Sequence, residues 1–284
     1  MGLEEKGTLP DASSKSPEAT LLAKYEEVPW NAPSQNWKKQ SEKEPETGSL
    51  KPLCSLRFKR ELPSKVSQKF SVKKAHQLQL RLSKRLLFED MLPEAVEYVA
   101  GVDVAYLEGT SVCAVAVLDR NSLSQVEVQV AAIKTCFPYV PTLLSFREIP
   151  PAVSAVEKLQ TKPDVFMVDG QGFAHPYGLG FASHLGLILD KSTIGVAKSL
   201  LCGKAEETDK DGWKPLRHHG KIVGAEVVTK QGTKPVYVSV GHRISLKRAV
   251  KIVLECVGRY RLPEPIRRAH MMANEEKRRL QAIC

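Results

Sequence analysis

The chain has 284 residues, a hydrophobic content of 42% and a formal net charge of +10. This length gives room for one large domain or two small ones with a sizeable core. No apolar run reaches the roughly 18 residues that a membrane span needs, and no signal-peptide core is present. We therefore expect an intracellular protein of the cytoplasm or the nucleus, without a membrane partner.

Residues 1–61 are predicted to be a disordered tail that precedes one folded domain over 62–284. Pro, Ser, Glu and Lys are frequent in the tail, and sustained apolar periodicity is missing. Charge is uneven: residues 1–50 carry a net −3, residues 51–90 a net +8 and residues 259–284 a net +4. Basic charge at two edges of a domain favours a polyanionic partner such as a nucleic acid, with a solvated basic face as the alternative.

The apolar pattern predicts a helix, a three-stranded meander, and then helices and strands in alternation. Helical spacing of apolar residues indicates a helix over 72–86, and Pro150-Pro151 is expected to kink or break a later helix. Ser245 is predicted to cap a further helix, and a basic helix follows Pro265. The other predicted elements are strands 98–106, 111–118, 126–135, 164–169, 193–196, 222–229 and 236–240, helices 142–159 and 178–189, a candidate helix at 36–44, and a loop through Gly212 and Trp213.

This order of elements is that of the ribonuclease H-like fold, an α/β fold in which helices flank a mixed sheet. The first strand of that fold lies centrally, next to the strand that follows the first crossover helix. Asp103 and Asp169 each interrupt a short apolar strand, so this arrangement makes them neighbours. Glu148, on the intervening helix, then comes within reach of both.

These two aspartates indicate a metal site. A buried carboxylate costs several kcal/mol unless a partner compensates its charge, and no Lys or Arg lies close to Asp103 or Asp169 within their strand runs. A divalent cation with oxygen ligands is the most economical partner for such a pair. The sequence therefore predicts a metal-dependent enzyme, with salt-bridged surface acids as the alternative interpretation.

Seven ordered blocks, spread over roughly residues 62–275, resemble the endonuclease V family of inosine-directed nucleases. They are YVAGVDVAY, FPYVPTLLSFRE, KPDVFMVDGQGFAHP, GLGFASHLG, TIGVAKSLL, PVYVSVGHRISL and RYRLPEPIRRAH. The resemblance implies a ribonuclease H-like fold and Mg²⁺-dependent hydrolysis of a phosphodiester bond, with Mn²⁺ as a substitute ion. The bond is typically the second one on the 3′ side of inosine or deoxyinosine, in DNA or RNA. We expect the protein to act as a monomer.

The resemblance also implies a catalytic set. Asp103, Glu148 and Asp169 fall on the family's three acidic positions, and His270 falls on a fourth that is His in some members and Asp in others. Because Mg²⁺ usually binds one or two carboxylates directly, we expect Asp103 and Asp169 as ligands and Glu148 as a ligand or water-orienting base. Lys198, after a short apolar strand, is expected to neutralise the scissile phosphate, with a surface lysine at a strand end as the alternative.

The rigid turn from Pro138 to Pro141 carries one aromatic residue just before the catalytic helix. An enzyme that acts beside an altered base takes that base out of the stack, and an aromatic side chain can fill the gap. By resemblance Tyr139 is this wedge; a packed loop tyrosine is the alternative. Thr142 stands where the family commonly has glycine, so its side chain could narrow the base pocket or alter its preference.

A second substrate-binding loop is predicted directly after Asp169. Gly170, Gln171 and Gly172 let the backbone approach a base closely, and main-chain groups there can read the edge of hypoxanthine. His175 is expected to line the same pocket or contact phosphate, or else to be a structural histidine. Arg267, in a basic cluster near the C-terminus, is expected to track phosphates.

Two other functions remain open at this point. One is a different ribonuclease H-like, structure-specific nuclease, against which the wedge and the DGQG motif argue. The other is a nucleic-acid-binding homologue without catalysis, against which the filled acidic positions argue. The sequence does not decide between DNA and RNA or between one and two metal ions.

Overall fold

The structure is a computed structural model that describes residues 71–208, 210 and 212–283. The predicted tail over 1–61, its boundary with the domain and the candidate helix at 36–44 lie outside these residues. In chain order the elements are α1 (Val72–Ser83), β1 (Tyr98–Leu107), β2 (Thr110–Asp119), β3 (Gln125–Lys134), α2 (Ser145–Val156), β4 (Val165–Asp169), α3 (Phe181–Leu189), β5 (Ser192–Ala197), β6 (Lys204–Ala205), β7 (Lys214–His218), β8 (Lys221–Val227), β9 (Val236–His242), α4 (Leu246–Glu255) and α5 (Glu264–Ile283).

The strands form one mixed sheet in the order β3-β2-β1-β4-β5-β9-β8-β7-β6. β1 pairs antiparallel with β2 and parallel with β4, and β4 pairs parallel with β5. Helices α2 and α3 pack on one face of the sheet, while α4 and the start of α5 pack on the other. This confirms the ribonuclease H-like α/β fold, with β1 beside β4 as predicted.

The central strands are apolar along almost their whole length because helices cover both faces. All six residues of β5 are buried, as are the first four of β4. The predicted helix cap is also confirmed, since the Ser245 hydroxyl accepts a hydrogen bond from the Arg248 backbone N–H at 3.2 Å. Among the described helices, none has both the length and the apolarity needed to cross a membrane.

Helix α2 runs unbroken through Pro150 and Pro151, so the predicted break there is wrong. The two prolines remove backbone donors, which in an exposed helix would end it. Here Ala152 and Ala155 are fully buried against the sheet, and this tertiary packing holds the helix together. The prediction failed because burial of the helix overrides its local propensity.

The predicted loop through Gly212 and Trp213 contains two strands that the sequence did not reveal, β6 and β7. They pair with each other, and β7 pairs with β8, which extends the sheet. Only Pro215 and Leu216 of β7 are buried, so the strand carries no alternating apolar pattern. Leu216 packs on Ala174 and Val223, a contact that exists only in the folded chain.

Candidate active site

The register of the central strands places two aspartates side by side. Val102 of β1 pairs with Val168 of β4 in parallel, so the next residues, Asp103 and Asp169, are adjacent. Because side chains alternate along a strand, both point to the face that α5 covers. Asp103 is buried, and Asp169 is largely so, with a side-chain exposure of 11%.

Helix α5 brings a histidine onto this pair. It can approach β1 closely because position 101 is glycine: a Cβ there would lie 1.8 Å from the Pro265 carbonyl oxygen. One and a half turns later, His270 Nδ1 lies 2.6 Å from Asp103 Oδ2. The ligand atoms of Asp103, Asp169 and His270 all lie within 4.8 Å of one another.

Glu148 reaches the aspartates from α2, on the opposite face of the sheet. It is buried, and the Tyr106 hydroxyl donates a hydrogen bond to its Oε1 at 3.3 Å. Burial, with the nearby charge of Asp103, raises the pKa of Glu148 to about 8. Burial and Asp103 also raise the pKa of Asp169. The negative charge of Asp103 therefore makes Glu148 and Asp169 harder to ionise.

Lys198 forms an ion pair with Asp169 Oδ2. The sequence argument that Asp169 has no cationic neighbour was thus incomplete, because the lysine comes from a different strand. Asp169 pairs in register with Val196 of β5, and Lys198 follows two residues later. Parallel pairing, which is not visible locally in the sequence, brings the two charges together.

The donor set fits a divalent cation. Three carboxylates meet here, and the ligand atoms of Asp103, Asp169 and His270 lie close enough to share one ion. Oxygen ligands from carboxylates, with one imidazole, suit hard divalent ions. Asp103, Asp169 and His270 would hold the ion, with Glu148 beside them; we call these four residues the acidic cluster.

The PYVPT loop (residues 138–142) lies beside the acidic cluster, just before α2. Tyr139 is 68% exposed, so its ring is available to a ligand. The guanidinium carbon of Arg147 lies 5.9 Å from the centre of the Tyr139 ring and 4.7 Å from that of Tyr106. A cation thus connects the exposed aromatic residue with the tyrosine that hydrogen-bonds to Glu148.

The GQG loop (residues 170–180) follows Asp169 and packs against β5 and β9. Gly170 has a φ of 153°, and an added Cβ at Gly172 would lie 2.2 Å from the Val240 carbonyl oxygen. Close packing on β9 therefore already accounts for Gly172. Gln171 donates from Nε2 to the Ser199 carbonyl oxygen at 3.1 Å, and its buried Oε1 has no hydrogen-bond partner among the described residues.

His175 joins the two loops. It is 7% exposed, and burial lowers its pKa to about 4, although a hydrogen bond to the Thr142 backbone opposes the shift. Its Nδ1 accepts from the Tyr177 backbone N–H at 3.2 Å. The imidazole is therefore neutral near pH 7 and holds the PYVPT loop against the GQG loop.

Arg267 lies on α5, but its guanidinium is engaged elsewhere. It donates from Nε and Nη2 to Glu264, with the shortest contact at 2.7 Å, and stacks on Tyr260 at 5.0 Å from the ring centre. Glu264 is buried. To bind a phosphate, Arg267 would have to exchange this ion pair.

Sequence reasoning missed four residues that the structure places at the site. Tyr106 and Arg147 lie within motifs that were singled out, and Arg147 directly precedes Glu148. A search for cations and hydroxyls beside the acids would have found both. His76 and Gln79 lie on α1 and contact Thr142, more than sixty positions away, so no local signal could have revealed them.

A mixed ribonuclease H-like sheet with an acidic cluster where the β1–β4 pairing ends defines a nuclease. The comparisons with known proteins make the assignment more specific: the family model for Endonuclease V matches residues 80–271. The chain belongs to the endonuclease V family. It is 50% identical over 208 residues to endonuclease V of Trichormus variabilis, which covers 72% of this chain and 94% of that protein.

Solved structures agree with this assignment. Endonuclease V of Streptomyces avermitilis is 36% identical, with a TM-score of 0.69, and the match covers 74% of this chain and 95% of that one. Endonuclease V of Ciona intestinalis, in complex with DNA containing an inosine followed by a ribo-adenosine, is 30% identical, with a TM-score of 0.67. That match covers 74% of this chain and 98% of the other.

Proposed function

We propose that this protein is a Mg²⁺-dependent endonuclease that hydrolyses a phosphodiester bond, typically the second one, on the 3′ side of inosine or deoxyinosine. The product would carry a 5′-phosphate. The observation that carries the proposal is the acidic cluster, in which three ligand atoms lie within 4.8 Å and Glu148 has a pKa of about 8. The inosine-containing DNA bound by the Ciona relative supports the choice of substrate.

The reaction needs negative charge to be stabilised on phosphate oxygens and on the leaving 3′ oxygen. A divalent cation, when bound, supplies this Lewis-acid stabilisation. Asp103, Asp169 and His270 would hold it, because their ligand atoms lie within 4.8 Å of one another. Glu148, whose carboxylate is oriented by the hydrogen bond from the Tyr106 hydroxyl, would accept a proton from the attacking water. A pKa near neutrality suits a residue that takes and returns a proton.

Two cations of the chain itself would bind the substrate backbone. Lys198 lies against Asp169 and is 38% exposed, so its ammonium group would contact the scissile phosphate. Arg147, held between the rings of Tyr106 and Tyr139, would contact a phosphate next to the displaced base. Arg267 is still predicted to contact a phosphate, and to do so it would have to break its ion pair with Glu264.

Recognition of the base would fall to the two loops. Tyr139 would stack in the gap that the displaced base leaves, with Pro138 and Pro141 keeping the turn rigid. The backbone of Gly170 and Gln171 would read the hypoxanthine edge. Gly172 would support that loop by packing on β9, and His175 would support it by its hydrogen bond to the Thr142 backbone.

The test is cleavage of matched strands that differ at one position, inosine or adenosine, prepared as DNA, RNA and mixed strands. With Mg²⁺ we expect a cut at one position 3′ of inosine, a 5′-phosphate on the downstream product, and no cut without the ion. Mn²⁺ should restore activity. Equal cleavage of the inosine and adenosine strands would overturn the substrate assignment, and full activity in a chelator would overturn the metal assignment.

A further inference from the structure

Thr142, the last residue of the PYVPT loop, has a strained backbone. Its φ is 70°, in the left-handed region that β-branched residues rarely adopt. Such a conformation is energetically unfavourable and persists only where the surrounding structure holds it. Residues held in strained conformations cluster at active sites, ligand-binding sites and switch regions. The contacts that hold Thr142 are therefore relevant to function.

Two side chains of α1 hold it. His76 Nε2 lies 2.8 Å from Thr142 Oγ1, and this hydroxyl lies 2.5 Å from the Pro141 carbonyl oxygen. The hydroxyl donates to that carbonyl, so it accepts from His76. Gln79 Nε2 donates to the Thr142 carbonyl oxygen at 2.8 Å. Both the side chain and the backbone of Thr142 are thus bound to α1.

The same two residues also bind the GQG loop. Gln79, which is fully buried, donates from Nε2 to the Leu179 carbonyl oxygen at 3.2 Å. His76 stacks on Tyr177 with 3.9 Å between ring centres and an angle of 12°. One amide and one imidazole therefore join the loop that carries the exposed Tyr139 to the loop that follows Asp169.

Apolar packing holds α1 in the position from which His76 and Gln79 contact the two loops. Ala75 of α1 packs with Leu143 and Phe146 at the start of α2, and the partly buried Leu78 and Val140 complete the cluster. Val140 belongs to the PYVPT loop itself. Both His76 and Gln79 precede residues 80–271, the segment that the family model matches.

We propose that His76 and Gln79 are positioning residues that set the selectivity for inosine by fixing the distance between the PYVPT and GQG loops. The proposal rests on the function proposed above, in which these loops act on the same nucleotide. The hydrogen bonds of His76 and Gln79 go to the loops and not to the acidic cluster. Loosening them therefore raises KM for the inosine strand and leaves kcat unchanged.

The experiment is a double-mutant cycle with His76→Phe and Thr142→Gly. Phenylalanine keeps a ring to stack on Tyr177 but loses the donor, and glycine accepts a φ of 70° without strain but loses the hydroxyl. We expect His76→Phe to raise KM for inosine strands about fivefold, as the loss of one hydrogen bond would, with kcat and affinity for inosine-free strands unchanged. In the Thr142→Gly background it should have no further effect.

A matched control is Thr142→Ser, which keeps the hydroxyl and should keep the wild-type KM. Additive effects of His76→Phe and Thr142→Gly, or an equal loss for every substrate, would overturn the proposal. If the wild type does not prefer inosine, the function proposed above fails. The same cycle, measured by melting temperature, then tests the contact between His76 and Thr142 independently of substrate: non-additive shifts in melting temperature support this contact, and additive shifts contradict it.

Discussion

The acidic cluster and the pair of substrate loops are built in different ways. Strand register and one close helix contact place Asp103, Asp169 and His270. Side chains that bond to backbone carbonyls place the loops, including one residue in a strained conformation. Under the proposed function, the chemistry would depend on the sheet, whereas selectivity would depend on a few long-range hydrogen bonds. Changes in the two regions should therefore affect different kinetic parameters.

The largest expected effect is in the acidic cluster. Asp103→Asn should abolish cleavage while binding to inosine strands persists, because the loops are intact. Without metal the variant should be as stable as the wild type or more stable, since removing one charge relieves repulsion on Glu148 and Asp169. The checks are single-turnover cleavage, a gel-shift assay and thermal unfolding in chelator. Substantial turnover by this variant in Mg²⁺ would remove Asp103 from the catalytic set.

Gly101→Ala tests whether helix packing positions His270. The added Cβ would lie 1.8 Å from the Pro265 carbonyl oxygen, so α5 must move away from β1. We expect a loss of about 3 kcal/mol in the free energy of unfolding, the cost of overpacking a tight contact. The cleavage rate should also fall, because moving α5 displaces His270 from Asp103.

A matched control is Gly109→Ala. Gly109 has a φ of 69°, and an added Cβ there would meet no atom within 4 Å. This substitution strains the turn without moving α5, so cleavage per folded molecule should stay normal. If the two variants lose activity equally, the contact between α5 and β1 does not position His270.

The stability of the helix layer that supports the loops should depend on pH through His184 of α3. Its Nδ1 lies 3.1 Å from Ser145 Oγ at the start of α2, and burial lowers its pKa to about 4. The unfolded chain, with a histidine pKa of about 6.5, takes up the proton first. The contribution of His184 to stability is therefore full above about pH 6.5 and falls by up to about 3 kcal/mol as the pH drops to about 4.

Chemical denaturation between pH 4 and 7.5 measures this slope. His184→Gln keeps a hydrogen-bonding side chain beside Ser145 but cannot titrate, so its stability should fall less steeply over the same range. His175, also with a pKa of about 4, adds a second contribution that the variant retains. An unchanged slope in His184→Gln would assign the acid sensitivity to other groups.

Tyr139→Ala should affect recognition and not chemistry. Loss of one base–aromatic stack should weaken binding to inosine strands by roughly 1–3 kcal/mol. Saturating kcat should change little, because the acidic cluster is untouched. Tyr139→Phe is the control, and it should retain the affinity. If Tyr139→Ala distinguishes inosine from ordinary strands as well as the wild type does, with unchanged affinity, the tyrosine is not the wedge.

The smallest effect is expected at Arg267. If it contacts a phosphate, Arg267→Ala should weaken binding about equally for every sequence and lower the salt slope by about one. Because the guanidinium is paired with the buried Glu264, unfolding must be measured in parallel. Arg267→Lys keeps the charge and should keep the salt slope. An effect confined to inosine strands would place Arg267 in the base pocket instead.

Much of the sheet could be predicted because its signal is local. Apolar runs located seven strands to within a few residues, and the order of elements placed β1 beside β4. The predicted break in helix α2 was wrong and strand β7 was missed, because packing and not local propensity holds both elements. Lys198 was predicted to contact the scissile phosphate, but its ion pair with Asp169 was not predicted, since this pair depends on the β4–β5 register.

Sequence alone was enough to predict the family, from seven ordered blocks of resemblance, and the fold class, from the order of its elements. Asp103 and Asp169 could be predicted as candidate ligands because a carboxylate set into an apolar strand is visible over a few neighbouring positions. The tertiary structure alone decided how the site is held. His76 and Gln79 meet Thr142 across 66 and 63 positions of the chain. The physical reason is that hydrogen bonds between a side chain and a distant loop leave no periodic trace, so only the folded backbone brings their donors and acceptors together.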